Sequence, residues 1–390
     1  MSYLSQIIFG LDQATERHVI QLRDLIEKYK IKNHLIQWND GPGFKSIYDK
    51  LNEAGFNIRE PGKGKNMFLS FGIAIALGAE SVGLVDADIR TFKSYQLDRL
   101  YYPVVVLNYD FAKAYYSRIM DKALYGRVKR LLLDPLLLAL KRKFAESREE
   151  KMLKLIDFLL GFNYQLSGEV VFHTDLLKRM RFATNWGVEI FTLIEVFRKA
   201  SSPAQVMFSR DPFDHKHQTV SKDDKAKGLN RMAVDIVTTL MNALVIEEGL
   251  EISETFFRDL AITYQAVAEE QIKKYSDDAS FSNLRHDRDN EEIMVKDVFR
   301  NSILSAGELL SAPYRMTERF LRFVNSHSEF KPFLENGLAG AILKVEGKAQ
   351  QSIFEFPQTV SWERVYNKLP RISYELVEVV EQEKHRFTNK

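Results

Sequence analysis

The chain has 390 residues, 45% of them apolar and 28% charged, with a formal net charge of +2 and a pI near 8.4. Such a chain is globular, with a large core and more than one structural region, and its near-neutral charge gives no basis for a nucleic-acid or membrane partner. The lack of any cysteine excludes disulfides, thiolate metal sites and cysteine nucleophiles and fits a reducing, cytoplasmic location.

"SQIIFGL" (5–11) reads as a first strand and "DQATERHVIQLRDLIEKYK" (12–30) as a helix with Val19, Leu22, Leu25 and Ile26 on one face. "HLIQWND" is a second strand, and "GFKSIYDKLNEAG" a short helix stopped by Gly55. "FNIRE" reads as a further strand, followed by the turn "PGKG", the helix "KNMFLSFGIAIALGA" and the strand "SVGLVDADI". "YPVVVLNYDF" (102–111) is expected to be another strand, and "QLSGEVVFHTDLLKRM", "NWGVEIFTLIEVFRKA" and "AQVMFSRDPFDHKHQ" complete the first region. Strands alternating with helices imply a mostly parallel sheet whose working edge is the carboxyl end of its strands. After Ser221 the segments become long, helix-spaced and poor in glycine and proline, with "SDDASFSNLRHDRDNEE" as an exposed connection and "ERFLRFVNSHSEFKPFLENGL" among the helices. The expected organisation is therefore an α/β domain over residues 1–220 and a mainly α-helical carboxyl-terminal region over 221–390. The amino terminus lacks the basic and apolar segments of a signal peptide, and "LLLDPLLLAL" is too short and too interrupted to span a bilayer.

The strand "LVDADI" ends on Asp86 and Asp88, two carboxylates one residue apart at the sheet's carboxyl edge. Hard oxygen donors there suit magnesium or manganese, although aspartates also favour such turns for their local hydrogen bonds. In "DPFDHKHQ", His215 and His217 alternate around Lys216 beside Asp211 and Asp214 and form a second candidate for the same ion. "GPGFKSIY" lacks the glycine spacing of a Walker loop. Lys63, at a helix start, is placed to meet an anion. In "YGRVKR", Arg127, Lys129 and Arg130 form a short basic run, of which Arg127 and Lys129 could together clamp a carboxylate or a phosphate. "LSGE" and "NWGVEI" each bring a glycine next to a carboxylate, Gly168 beside Glu169 and Gly187 close to Glu189. A carboxylate in a pocket can orient sugar hydroxyls or move a proton.

Taken in order, "EPGKGKN", "LVDADI", "YGRVKRLLLDPLL", "LSGEVVFHTDLL", "NWGVEI" and "DHKHQ" resemble the retaining glucosyl-3-phosphoglycerate synthases, and less closely the mannosylglycerate synthases, over roughly residues 5–220. The resemblance implies a GT-A nucleotide-sugar-binding domain. It implies Asp88 and His215 as metal ligands for Mg2+ or Mn2+, with Asp88 and Glu189 as the catalytic pair, Glu189 lying near the transferred sugar. Gly10, Leu11, Asp12, Lys63, Asp86 and Ala87 are the implied donor-nucleotide residues, and Arg127, Lys129, Gly168 and His217 the acceptor residues. "FGLDQATE" stands where the family carries an Ala-Leu-Asn-Glu type segment, Lys129 stands for a threonine, and His217 for an asparagine of some relatives. The implied reaction is metal-dependent, retaining transfer of glucose from a nucleoside diphosphate sugar, UDP-glucose favoured, to the small anionic acceptor 3-phosphoglycerate. Alternatives are transfer from GDP-mannose or another donor to glycerate or a different small polyol, or a non-catalytic binding protein of the same fold. The amphipathic carboxyl-terminal helices add the expectation of a homodimer.

Overall fold

The structure is a computed structural model that describes residues 4–56, 58, 62–211, 213–214, 228–311 and 359–388. In chain order the elements begin with β1 (Ile7–Leu11), α1 (Glu16–Lys28), β2 (His34–Trp38), α2 (Phe44–Glu53), α3 (Lys63–Ala76), β3 (Ser81–Leu84), α4 (Ser94–Val105) and β4 (Phe111–Tyr115). The short strands β5 (Ile119–Met120) and β6 (Ala123–Leu124) follow, then a π-helical segment (Val128–Leu133) that runs into α5 (Asp134–Ser147), and α6 (Glu150–Leu160). Next come β7 (Val170–His173), α7 (Thr174–Arg179), β8 (Arg181–Ala183), α8 (Val188–Lys199) and β9 (Pro203–Met207). The long helices α9 (Gly228–Glu248) and α10 (Glu254–Phe281) precede α11 (Arg288–Met294), which continues through a π-helical turn (Val295–Phe299) and further helix to residue 311. The last elements are β10 (Thr359–Ser361), α12 (Trp362–Lys368) and α13 (Ile372–Thr388).

The chain forms two compact units, each assembled from separated segments: Met1–Met120, Phe162–Lys216 and Gln358–Lys390 make the first, and Asp121–Gly161 with His217–Pro357 the second. Residues 359–388 thus belong with the sheet unit and 121–161 with the helical one. No local property of the sequence announces this, because the grouping depends on contacts hundreds of residues apart.

In the first unit β1 and β2 pair in parallel, Ile7 opposite His34 and Leu11 opposite Trp38. A four-stranded sheet has the order β3-β7-β4-β9. β4 and β9 are parallel, and β7 runs antiparallel to both β3 and β4. The order is possible because strands near-continuous in apolar residues can be covered on both faces. Phe71 of α3 meets Phe172 of β7 and Phe182 of β8 with ring centroids 5.6 and 5.1 Å apart, and Phe111 of β4 lies 5.2 Å from Phe172. The carboxyl-terminal segment closes the other side of α3. β10 pairs antiparallel with β8, and Trp362 stacks on Phe68 at 4.5 Å while its Nε1 donates to the Phe68 carbonyl. Gly72 is required there, since a Cβ would lie 1.9 Å from the Trp362 ring.

The second unit is helical. α5 is buried along Leu136, Leu137 and Leu140, and packs on α6 and α10. The Tyr264 hydroxyl of α10 donates to the Leu131 carbonyl of the π-helical segment. α9 is long and apolar enough to cross a membrane, but two-thirds of that stretch (67%) is buried inside the fold, as in a core helix.

Several expectations change. Residues 102–105 end helix α4 instead of opening a strand, and the strand begins only at Phe111. Pro103 sits in the last turn of α4, where it cannot donate to the preceding turn, and the helix ends two residues later. The polar connection after α10 shrinks to 282–287, because α10 persists to Phe281 and α11 starts at Arg288, capped by the Asp287 carboxylate. Most of "FNIRE" and all of "ERFLRFVNSHSEFKPFLENGL" lie outside the described residues.

Candidate active site

The amino-terminal turn of α3 enters the sheet unit at very close range. A Cβ on Gly64 would stand 1.9 Å from the Ala183 carbonyl oxygen, and the Lys65 amide donates to the Thr184 carbonyl at 3.3 Å. This explains the glycine-lysine alternation of "PGKGK": glycines let the helix end meet the backbone after β8, and the lysines on either side of Gly64 reach two different groups of carboxylates.

Lys65 turns inward. Its side chain is only 5% exposed, its Nζ is 2.8 Å from Asp12 Oδ1, and it lies 5.5 Å from the centroid of the Tyr48 ring. Asp12 also accepts from the Gly62 amide (3.0 Å) and from Asn39 Nδ2 (3.1 Å). Asn66 Oδ1 accepts from both Gln37 and Asn39 at 2.9 Å, Asn66 Nδ2 donates to the Gly10 carbonyl, and Ser70 donates to Gln37 Oε1. Burial, with the nearby Asp12 and Asp40 charges, pushes the Tyr48 hydroxyl well above its ordinary range. Of the expected donor residues, Gly10, Leu11 and Asp12 therefore sit at the end of β1 beside this network. Leu11 packs toward Val19 and Trp38.

Lys63 turns the other way. Its Nζ stands 2.7 Å from Asp86 Oδ1 and 2.7 Å from Glu189 Oε1, bridging the turn after β3 to the first turn of α8. Burial opposes its charge, but the two carboxylates outweigh that and raise its pKa. Gly168 backs the bridge: a Cβ there would fall 2.3 Å from Asp86 Oδ2 and 2.5 Å from Lys63 Nζ. In the same turn Ala87 and Asp88 reach the surface. Partial desolvation, then the Asp86 charge, lifts the Asp88 carboxyl above its ordinary range, against the opposing pull of Lys63 and Arg118. Lys63, Asp86, Asp88, Gly168 and Glu189 are thus brought together.

The segment carrying the histidines begins beside this turn. The Arg90 amide donates to the Asp214 carbonyl (2.9 Å) and the Asp214 amide to Thr91 Oγ1 (3.1 Å). Asp211 is engaged elsewhere, with Lys93 (2.7 Å) and the Tyr95 hydroxyl (3.3 Å). His215 and His217 lie outside the described residues. Among the described residues there is no cluster of three or more metal-binding side chains. The donor set nonetheless fits a hard divalent cation: Asp86 and Asp88 offer carboxylate oxygens in the turn after β3, and the partial desolvation and then the Asp86 charge that raise Asp88 are what a dication would offset.

The basic run belongs to the second unit. Arg127 heads the π-helical segment, its guanidinium 3.6 Å from Met294 Sδ, and Lys129 pairs with Asp134. Arg130 is spent internally: it is 7% exposed, forms a bidentate pair with Glu291 (3.1 and 2.6 Å), and stacks 4.8 Å from the Tyr275 ring.

Two features escaped the sequence reading. One is the network of Gln37, Asn39, Lys65 and Asn66. The other lies beneath Gly168: Lys113 of β4 and Glu169, each 1% exposed, and Tyr116, whose hydroxyl donates to Glu169 Oε2 at 2.9 Å. Burial lowers Lys113 to about 8, and burial followed by the Asp86 charge raises Glu169 to about 7. The available signal was the lysine in "FAKAY", a charge at the centre of an otherwise apolar strand.

A four-stranded mixed sheet, a separate parallel β1–β2 pair, an acidic turn following β3 and a lysine-bearing helix start facing that turn fit the α/β domain of GT-A type expected from the sequence. No family model matches the chain. A protein of Persephonella marina named glucosyl-3-phosphoglycerate synthase is 32% identical over 388 residues, covering 98% of this chain and 83% of that protein. A protein of the same name from Methanococcoides burtonii is 32% identical over 312 residues, 79% of this chain and 74% of that one. Among solved structures, the glucosyl-3-phosphoglycerate synthase of Mycobacterium tuberculosis with Mn2+, UDP and glucosyl-3-phosphoglycerate aligns at 21% identity and a TM-score of 0.44, covering 64% of this chain and 71% of that one. The mannosyl-3-phosphoglycerate synthase of Rubrobacter xylanophilus aligns at 22% identity and 0.42, covering 64% and 77%. The chain belongs to the glucosyl-3-phosphoglycerate synthase family and is a hexosyltransferase.

Proposed function

We propose that the chain transfers glucose from UDP-glucose to 3-phosphoglycerate, with retention of anomeric configuration and with Mn2+ or Mg2+. The observation that carries this reading is the Lys63 bridge between Asp86 and Glu189, set beside a second aspartate, Asp88. The names of the two 32%-identical relatives support the acceptor and the sugar.

Asp88 would hold the ion, with His215 as the other expected ligand and Asp86 nearer the ribose of the donor nucleotide. When bound, such an ion neutralises charge developing on a departing diphosphate. Lys63 places an ammonium at the same edge, where it can exchange a carboxylate for a donor phosphate. Glu189, fixed by Lys63 at 2.7 Å, is suited to orient hydroxyls of the transferred sugar. Gly168 lets Lys63 and Asp86 close on the backbone, where any side chain would displace them. Arg127 and Lys129 would take the carboxylate and phosphate of the acceptor. The acceptor hydroxyl then attacks from the face the diphosphate leaves and gives its proton to the departing phosphate oxygen, so the work of the chain is positioning.

The test is nucleotide release from UDP-glucose, GDP-mannose and ADP-glucose with Mn2+ or Mg2+, with and without 3-phosphoglycerate or glycerate, beside Asp88→Ala. Release that needs UDP-glucose, metal and 3-phosphoglycerate, and falls by about 10²–10³-fold in Asp88→Ala, is the expected result. Turnover only with another acceptor overturns the assignment of Arg127 and Lys129, and no turnover with any donor overturns the transferase reading as a whole.

A further inference from the structure

Lys113 is chemically out of place in the sheet. It occupies the middle of β4 at 1% exposure, with Phe111, Ala112 and Ala114 around it also buried. Withdrawing an ammonium from water is costly unless well-placed partners offset it. An apolar side chain would fill that strand position without the cost. What Lys113 contacts explains its presence: its Nζ donates to the Ser167 carbonyl at 2.7 Å, and its charge is supported by Glu189 and Glu169. Glu189 is the carboxylate that Lys63 grips directly.

The Ser167–Gly168–Glu169 turn is pinned by β4 at every residue that has a side chain. Ser167 Oγ donates to the Ala114 carbonyl (2.6 Å), the Ala114 amide donates to the Glu169 carbonyl (2.9 Å), and the Tyr116 hydroxyl holds the Glu169 carboxylate. Gly168, between the two, is the backbone against which Lys63 and Asp86 rest. A displacement of the turn by a few tenths of an ångström is therefore passed to both groups.

We propose that Lys113 is a positioning residue of the transfer site: by donating to the Ser167 carbonyl it fixes the 167–169 turn, and through that turn the Lys63–Asp86–Glu189 bridge. Lys113 touches no substrate in this account; it sets where the groups that do so stand. The inference rests on the transfer reading above for its catalytic consequence, but its structural content is independent of which sugar or acceptor is used.

Two measurements on the full chain test it in Lys113→Met. The first is hydrogen exchange of the 164–170 backbone, compared with that of β1 and β2. The second is the partition of UDP-glucose turnover between 3-phosphoglycerate and water. The expected result is exchange at 164–170 about tenfold faster with β1 and β2 unchanged. With it, kcat should fall about 10²-fold, the order that an ångström-scale misplacement produces, and the hydrolysed share should rise. A merely structural lysine would lower kcat with the folded fraction and leave the partition unmoved, because unfolded molecules neither transfer nor hydrolyse. Exchange at 164–170 and a partition equal to the parent's would overturn the proposal. Should Lys113→Met fail to fold, Lys113→Met/Glu169→Gln removes both buried charges and carries the same two readouts. If the parent chain turns over no donor, the transfer reading fails on its own, and the exchange measurement alone decides the role of Lys113.

Discussion

The two sides of the α3 amino terminus are built from the same materials and do opposite things. On one side Lys65 meets a single carboxylate, Asp12, which also accepts from the Gly62 amide and the Asn39 side chain. On the other, Lys63 is shared between Asp86 and Glu189, with Asp88 lifted in the same turn and Glu169 lifted beneath it. The first group balances its charge and its hydrogen bonds internally. The second gathers Asp86, Asp88, Glu169 and Glu189 around Lys63 and Lys113 in and beneath the turn that follows β3, with Arg118 near Asp88. A buried network whose partners are matched one to one holds a fold together, whereas carboxylates crowded on one another are raised toward their neutral forms. Two lysines flanking one glycine thus serve a paired and a crowded set of carboxylates from a single helix end.

That contrast can be broken at either lysine. Lys65→Met removes one partner of a buried pair and should cost about 3–5 kcal/mol of stability, read as a lowered midpoint in urea unfolding. An unchanged midpoint would mean that Asp12 is held by Gly62 and Asn39 alone. Lys63→Ala should instead act on turnover, lowering kcat/KM by about 10²–10³-fold in steady-state transfer assays. A fall in stability without that loss would make the bridge structural and erase the distinction between the two sides.

A third test sharpens the contrast through pH. The Glu169 carboxyl is pushed from its ordinary 4.5 up to about 7, so between those values the folded chain holds a proton that the unfolded chain has released. Stability contributed at this group is therefore present at low pH and is lost as pH rises from about 4.5 to about 7. At about 1.4 kcal/mol per unit, the decline is about 3 kcal/mol. Glu169→Gln, neutral throughout, should flatten that part of the stability profile measured by urea unfolding at successive pH values. A profile identical to the parent's would mean that Glu169 holds no such proton in the folded chain.

Much of this was legible before any coordinates. The alternation of strand and helix patterns located β1 through β3 closely, because each is bounded by glycine or polar turns and covers a regular apolar face. Lys63, Asp86, Gly168 and Glu189 were singled out as candidates, and they converge. The valine run before Phe111 misled because β-branched residues at the end of a helix carry the same composition as a strand. Lys65, Asn39 and Asn66 were missed since their meaning lies in partners far away in the chain: Asn39 and Asn66 are separated by 27 positions and the Lys113–Ser167 contact by 54. Arg130, read only as part of a short basic run, is the buried partner of Glu291, and local spacing cannot distinguish a cation aimed at solvent from one aimed at a core.

The docking of Trp362 on Phe68 bears on how the chain comes to be folded at all. Those residues are 294 positions apart, so during synthesis the helix that begins with Lys63 emerges long before the indole that covers it. Until residues 359–388 arrive, α3 has an uncovered apolar flank, and the sheet unit waits while the segments of the helical unit leave the ribosome and assemble in between. The order of translation thereby delays completion of the sheet unit until residues 359–388 have been made, and a ribosome that stalls before Trp362 releases a chain whose early half is written but not yet closed.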